Sequence, residues 1–232
     1  ADVVLYMVQK LGYTDGRANL TFGAFAAMAY AVPAVGGWIG DRVLGSRRTA
    51  VLGAVMLAMG YAMLALPERS MLFPALSVVA VGGGIFKANP ANLISKLYEG
   101  DTAKIDSAFT MYYMAVNTGS TMSQIATPLI AIWIGWHVAF AVCAAGLVIG
   151  ILNYLVMRRY LAHVGSGPDF GPFPLNRMIV VVAGALIATG LVAGILQNLG
   201  VARAIVWLAF IALLGIFARL IWKGSPQERR GL

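Results

Sequence analysis

The chain has 232 residues, of which 60% are hydrophobic and only 11% are charged, and its mean hydropathy is +0.81. Soluble domains carry roughly 25% charged residues, so this composition excludes an ordinary soluble domain and indicates an integral membrane protein. The net charge of +8 does not point to nucleic acid, because the basic residues stand at the ends of apolar stretches rather than in one patch.

Long apolar stretches follow one another along the chain and predict membrane-spanning helices. They are longer than barrel strands and lack the two-residue alternation of such strands, which predicts an all-α fold. Residues 1–9 are too few to cross a bilayer, which takes about 20 residues. We expect them to be the end of a truncated first helix. Seven complete stretches follow, at about 20–40, 49–66, 71–95, 107–133, 137–157, 178–197 and 204–222.

The connecting segments divide the chain into four parts. A segment rich in Gly and Pro follows the sixth stretch and predicts a linker outside the membrane. We therefore expect a helical bundle at residues 1–158, a cytoplasmic linker at 159–177, a two-helix transmembrane hairpin at 178–222 and a cytoplasmic linker tail at 223–232.

The distribution of Lys and Arg predicts the orientation in the membrane. If the loop after the second helix is cytoplasmic and the sides alternate, twelve of the 17 Lys and Arg residues lie on the cytoplasmic side. Four lie on the opposite side, and Lys87 lies within the membrane. An excess of this kind is the positive-inside pattern.

Lys87 is the most informative single residue, because it lies deep in the fourth apolar stretch. A charge at the centre of a membrane helix costs roughly 2.5–3.5 kcal/mol. Helical side chains tilt toward the N-terminus, which directs the Lys87 ammonium toward the midplane and predicts a functional lysine facing a cavity. Snorkelling to the cytoplasmic face is the alternative. Pro90 removes one backbone hydrogen bond and can bend this helix.

A polar stripe on the fifth stretch predicts a wetted wall. Its residues recur at intervals of three or four and so share one helical face: Tyr113, Asn117, Ser120, Thr121 and Gln124. Polar groups in hydrocarbon need partners, and hydrogen bonds to another helix are the alternative to a cavity. Tyr30, on the second stretch, fits either a cavity or a packing role.

The segment GGWIGDRVLGSRR joins the second and third stretches. Gly37 and Gly40 predict close helix packing, and we expect Asp41 to cap the helix end. The arginines by themselves also fit an anchor to anionic lipid. The pattern G-x-x-x-D-R-x-x-G-x-R-R resembles the loop motif between helices two and three of the major facilitator superfamily. There the aspartate and arginines latch a gate against the opposite bundle, which implies gating residues Gly37, Asp41, Arg42, Arg47 and Arg48.

Other motifs do not predict catalysis. Gly82, Gly83 and Gly84 superficially suggest a phosphate loop, but inside a membrane helix they predict close packing. Two histidines and one cysteine, without clustered carboxylates, predict no metal site and no cofactor. We therefore expect a protein that is not an enzyme.

Four segments together resemble the proton-coupled oligopeptide transporter family (POT, or PTR) of the major facilitator superfamily: LYMVQKLG, GGWIGDR, GGGIFKANPANLISKLYEGD and SAFTMYYMAVNTGS. The resemblance covers about residues 3–132. The last two apolar stretches are similar to a hairpin that bacterial members insert between their six-helix bundles. The resemblance implies the N-terminal six-helix bundle of a major facilitator, with a truncated first helix, followed by that hairpin.

The resemblance also implies a function and a site. It implies symport of di- and tripeptides across the inner membrane, driven by a proton gradient without a cofactor. The residues that match peptide-binding positions or line the same wall are Lys87, Asn117, Tyr30, Tyr113 and Gln124, and the match to Lys87 implies proton coupling as well. The implied partners are the peptide, protons, the lipid bilayer and a C-terminal bundle of the same protein. The alternatives are another major facilitator, such as a sugar or drug antiporter, and a membrane scaffold without a substrate.

Overall fold

A computed structural model of the chain describes residues 2–223, and within them the secondary structure is helical throughout. Eight α-helices follow in order, interrupted by 3₁₀ turns at Arg69–Met71 and Gly167–Phe170. The helices are α1 (Asp2–Gln9), α2 (Asp15–Arg42), α3 (Ser46–Leu64), α4 (Leu72–Leu97), α5 (Thr102–Trp133), α6 (Trp136–Met157), α7 (Leu175–Gln197) and α8 (Leu199–Lys223). The predicted order of helices is confirmed.

Three helices, α2, α5 and α8, begin five residues before the predicted positions, because polar caps start them; the cap of α8 is Asn198, whose side-chain oxygen accepts from the backbone N–H of Gly200 at 3.1 Å. The hydroxyl of Thr14 accepts a hydrogen bond from the backbone N–H of Arg17 at 3.4 Å, which starts α2 at Asp15. The carboxylate of Asp101 accepts from the backbone N–H of Lys104 at 3.1 Å and starts α5. A cap of this kind satisfies N–H groups that lack helical partners.

The last two segments also differ in extent from the prediction. Helix α7 begins at Leu175, three residues inside the predicted linker. Helix α8 ends at Lys223, the first residue of the predicted cytoplasmic tail, and the remaining residues of that tail, 224–232, lie outside the described residues.

Five helical segments within residues 2–223 are long and apolar enough to cross a membrane: Asp15–Arg42, Arg69–Leu97, Trp136–Leu161, Leu175–Gln197 and Leu199–Ile216. The other two long helices, α3 and α5, contain more polar residues. Helix α3 begins with an arginine pair, and α5 carries the predicted polar stripe.

Helix α4 lies at the centre of the bundle, and glycines let its neighbours approach it. A Cβ atom on Gly53 of α3 would lie 2.6 Å from the backbone nitrogen of Phe86 and 2.8 Å from the carbonyl oxygen of Gly82. On the other side of α4, Gly84 packs directly against Val32 of α2. The predicted packing role of the glycine triplet is therefore confirmed for Gly82 and Gly84.

The packing partners also fix the directions of the helices. Gly36 and Gly40 of α2 meet Gly84 and Asn89 of α4, so the two helices run parallel. Along α3, Gly53 meets the Gly82–Phe86 region and Gly60 meets Val79, so α3 runs antiparallel to α4. The three successive helices α2, α3 and α4 therefore alternate in direction.

The remaining helices surround this centre. Helix α6 packs on α3 and α5, while α7 packs on α4 and α8 packs on α2. The hairpin of α7 and α8 buries Ala185, Val192, Leu196 and Ala202 against the bundle. Much of α5 stays exposed, which leaves its polar stripe accessible.

Candidate functional site

Lys87 lies on an exposed side of α4 and meets Tyr30 of α2. Its Nζ lies 5.1 Å from the centroid of the Tyr30 ring, and Tyr30 is 81% exposed. The parallel packing of α2 and α4 at Gly84 brings the two side chains together. A cation–π contact of this kind at an exposed site contributes roughly 0.5–1 kcal/mol.

The height of this pair along α2 fits a position near the middle of the membrane. Tyr30 precedes the last residue of α2, Arg42, by twelve residues, and a helix rises about 1.5 Å per residue. The pair therefore lies about 18 Å from that end of the helix, more than half the roughly 30 Å of a hydrocarbon core. In the structure the Lys87 ammonium lies beside the Tyr30 ring at this height along α2.

The stripe on α5 is exposed along its length. Gln124 Nε2 donates to Ser120 Oγ at 3.1 Å, and Thr121 Oγ1 donates to the backbone carbonyl of Asn117 at 2.9 Å. These bonds stay within α5. The side chains of the stripe make no hydrogen bond to another helix within residues 2–223, so the alternative of interhelical bonding is not observed there.

Tyr113 begins the stripe and is 56% exposed. Its ring contacts the rings of Phe109 and Tyr112, with centroid distances of 6.1 Å and 5.4 Å. Among the described residues, no hydrogen bond or ring contact joins the stripe to the Lys87–Tyr30 pair. The structure thus brings together two of the five predicted binding residues and leaves the other three open on α5.

The loop motif contacts its own half of the protein. The carboxylate of Asp41 accepts hydrogen bonds from Asn92 at 2.6 Å and Ser166 at 3.1 Å, and it pairs with Lys96 at 3.5 Å. The predicted helix cap is therefore wrong, because Asp41 binds side chains of α4 and the linker instead. The Arg42 side chain is exposed and makes no hydrogen bond or ion pair inside the part of the chain that the structure describes.

Gly40 does pack as predicted, because a Cβ there would collide with the side chain of Asn89. Gly37 is less crowded, since its Cβ would lie 3.4 Å from that of Ala88. The tightest approach of backbones falls one residue earlier, at Gly36, which the sequence analysis did not select.

The arginine pair of the motif binds the segment between α6 and α7. Arg47 donates to the carbonyl oxygens of Leu161, Ala162 and Asp169, each at 3.0 Å. Arg48 donates to the carbonyls of Pro168 at 3.0 Å and Gly171 at 2.8 Å. The guanidinium groups also lie over aromatic rings of the segment, Arg47 over Phe170 and Arg48 over Phe173.

Asp169 is the acidic centre of these contacts, and its side chain is fully buried. It accepts hydrogen bonds from the backbone N–H groups of Ser166 at 3.0 Å and Arg47 at 3.2 Å. Its Oδ1 lies 3.8 Å from Arg47 Nε. We name the contacts of Arg47, Arg48, Ser166 and Asp169 the linker clasp.

Four residues of this region were not predicted from the sequence: Asn92, Lys96, Ser166 and Asp169. Asp169 is the only acidic residue between α6 and α7, and that was a usable signal. The carbonyl acceptors could not be identified in advance, because every residue type supplies one. Within residues 2–223, no group of three His, Cys, Asp or Glu side chains could hold a metal ion.

A sequence model of the POT family matches residues 47–189, which is more than half of the chain. The chain belongs to the POT family. Among its relatives is dipeptide and tripeptide permease A of Pectobacterium carotovorum subsp. carotovorum (strain PC1), which is 40% identical over 230 residues, or 98% of this chain and 46% of the relative. Dipeptide and tripeptide permease B of Edwardsiella piscicida is 40% identical over 229 residues, with 98% and 47% covered.

Solved structures of the POT family have the same fold. A bacterial homologue of the human drug peptide transporters PepT1 and PepT2 superposes with a TM-score of 0.86 at 46% identity, covering 99% of this chain and 51% of that one. Tetrameric PepTSo2 gives a TM-score of 0.85 at 44% identity, covering 97% and 50%. The chain spans about half the length of the relatives that it matches.

These findings confirm the predicted family and the all-α fold of a major facilitator. The apolar helices and the permease relatives together identify an integral membrane protein. Permeases are transporters, so the similarity agrees with the predicted class and favours it over an enzyme.

Proposed function

We propose that the protein to which this chain belongs is a proton-coupled symporter of di- and tripeptides, and that this chain forms the N-terminal half of its binding cavity. The relatives named dipeptide and tripeptide permease support this substrate, because they are similar along 98% of the chain. The similarity extends through the helices that carry Lys87 and the polar stripe.

The exposed Lys87–Tyr30 pair carries the proposal. Lys87 Nζ binds the peptide carboxylate, and its contact with the Tyr30 ring holds the ammonium toward the open side of the bundle. A charge-assisted hydrogen bond of this kind is roughly twice as strong as a neutral one. Peptides share their terminal carboxylate whatever their side chains are, so a lysine selects for this group and tolerates different sequences.

The stripe on α5 supplies the contacts to the peptide amides. Asn117 and Gln124 each offer a donor and an acceptor, while Tyr113 offers a hydroxyl and an aromatic surface. All three side chains are exposed and are not bonded to other helices within the described part of the chain. Such groups bind a peptide backbone without selecting its side chains.

Lys87 also links the proton to the peptide. Desolvation lowers the proton affinity of an amine and a bound carboxylate raises it, so binding of the two becomes mutually dependent. The proton gradient then supplies the energy, and no cofactor is needed. A cavity that opens to alternate sides needs two bundles around a midplane site, so a C-terminal bundle completes this one.

The charge distribution supports an orientation in the inner membrane with the α2–α3 loop in the cytoplasm. In the motif at that loop, Gly37 packs near α4, while Arg42 and the half-exposed carboxylate of Asp41 remain available to latch the second bundle. Arg47 and Arg48 support this gate indirectly, because they fix the adjoining linker.

Uptake of a labelled dipeptide into membrane vesicles under an imposed proton gradient tests the proposal. Vesicles with the intact transporter are expected to accumulate the peptide above its external concentration, and Lys87→Ala is expected to abolish this accumulation. Lys104→Ala, which removes an exposed positive charge at the start of α5, is the matched control and should transport normally. Full accumulation by Lys87→Ala would rule out the proposed role.

A further inference from the structure

Two neighbouring cavities open beside the cytoplasmic end of α6. The first encloses about 380 Å³ between α3, α4 and α6, and apolar side chains line nearly all of it. The second encloses about 600 Å³ and lies against the linker. Val51 and Tyr154 line both cavities, so the two lie side by side.

The second cavity is strongly basic. It is lined by one carboxylate, that of Asp169, and by four guanidinium groups, those of Arg47, Arg48, Arg158 and Arg159. The linker clasp already engages Arg47 and Arg48. The Arg158 side chain is exposed and makes no hydrogen bond or ion pair inside residues 2–223, and the Arg159 side chain contacts only its neighbour Tyr160 within that range. Two of the four arginines thus remain free for an anion.

The two cavities together have the length of one membrane leaflet. The apolar cavity is lined along α6 from Leu147 to Tyr154, and Arg158 and Arg159 of the second cavity follow along the chain. Eleven residues separate Leu147 from Arg158, which is about 16 Å of helix. Half of a hydrocarbon core is about 15 Å, so an acyl chain seated in the cavity would place its headgroup at the arginines.

We propose that these two cavities form a binding site for an anionic phospholipid of the cytoplasmic leaflet. The lipid phosphate binds Arg158 and Arg159, because guanidinium groups match phosphate oxygens geometrically. One acyl chain fills the apolar cavity between α3, α4 and α6. Basic pockets between membrane helices on the cytoplasmic side are suited to anionic headgroups.

Both cavities are needed to assign an anionic lipid. The apolar cavity argues against a free phosphate, and the basic cavity argues against a zwitterionic lipid. A free inorganic phosphate has the charge for the arginines but no group for the apolar cavity. A zwitterionic lipid has the chains, but its own cation opposes the arginine cluster. The lipid that satisfies both has a net negative headgroup and a long chain.

Titration of the purified protein in dodecylmaltoside with dioleoylphosphatidylglycerol, read as the melting temperature, tests the site. We expect a saturable rise with this lipid, no comparable rise with dioleoylphosphatidylcholine and none with inorganic phosphate. Removal of two arginine contacts in Arg158→Gln/Arg159→Gln should weaken the apparent affinity roughly tenfold or more. Lys104→Gln/Arg203→Gln removes the same charge elsewhere on the surface and should leave the affinity unchanged.

A second pair of variants tests the chain-binding part without changing charge. Gly150 lines the apolar cavity, and a Cβ there meets no atom within 4 Å. Gly150→Leu therefore adds an apolar side chain to the cavity with no clash at its Cβ, and it should weaken the lipid effect. Gly146→Leu, one turn earlier on α6 and also in open space, should not. The proposal would be overturned if the two lipids, or the anionic lipid and phosphate, raised the melting temperature equally. It would also be overturned if Arg158→Gln/Arg159→Gln and Gly150→Leu both gave the same lipid titration as their control variants.

Discussion

Removal of the Asp169 carboxylate is expected to release the linker from the bundle. In Asp169→Ala, the backbone N–H groups of Ser166 and Arg47 lose an acceptor at 3.0 Å and 3.2 Å. Arg47 also loses its ion-pair partner. The remaining bonds of Arg47 to carbonyl oxygens do not neutralise its charge, so the guanidinium group is left partly buried without a counter-charge.

The magnitude follows from these contacts. A hydrogen bond to a charged acceptor contributes roughly 1.5–3 kcal/mol, and removing one partner of a buried ion pair costs roughly 3–5 kcal/mol. If Asp169→Ala costs about 3 kcal/mol, the lower end of the ion-pair range, the equilibrium constant for local opening of the linker rises roughly a hundredfold. Asp169→Asn keeps an acceptor oxygen and should produce a smaller rise.

Amide hydrogen exchange of residues 158–174 measures this opening directly. The linker amides of Asp169→Ala should exchange roughly a hundredfold faster than those of the wild type, while the α4 amides stay protected. Asp101→Ala is the control. Asp101 also accepts a hydrogen bond from a backbone N–H, and its hydrogen bond with Lys104 holds the pKa of this carboxyl below its usual range. It is exposed, however, and lies at the start of α5, away from the linker. Linker exchange within about threefold of wild type in Asp169→Ala would refute the proposed clasp.

Two further substitutions test the packing and the clasp. Gly53→Val should lower the melting temperature, because its Cβ would lie 2.6 Å from the backbone nitrogen of Phe86 and overpacking costs roughly 1–3 kcal/mol. Gly146→Val, where a Cβ meets open space, should leave the melting temperature unchanged. Equal melting temperatures of the two variants would contradict the packing. Lys96→Gln should lose the charged 2.7 Å bond to Ser166 and the ion pair with Asp41, at a cost of about 1.5 kcal/mol. Linker exchange should then rise, but less than in Asp169→Ala; no rise would exclude this lysine from the network.

The helices could be predicted from the sequence, because apolar length determines which segments cross a membrane. Their starting residues could not be predicted as well. The first turns of α2 and α5 are polar and resemble loop, and Thr14 and Asp101 stabilise them by capping. The packing role of Gly82 and Gly84 was predictable, since a glycine cluster inside a membrane helix has few other uses.

The candidate site divides in the same way. The exposure of Lys87 could be inferred from the cost of burying its charge. Its contact with Tyr30 could not, because that contact depends on the register of α2 against α4. The linker clasp joins Arg47 to Asp169 across 122 positions of the sequence. Its other acceptors are backbone carbonyls, so no pattern of residue types predicts which arginine they bind.

The central claim is that the Lys87 ammonium binds the carboxylate of the peptide. Equilibrium binding of a dipeptide and of its C-terminal amide, to the intact wild-type transporter and to Lys87→Gln, tests it most directly. A charge-assisted bond of at least about 1.5 kcal/mol predicts that the wild type prefers the free acid roughly tenfold or more, and that this preference falls close to unity in Lys87→Gln. An undiminished preference for the free acid in the variant would contradict the claim.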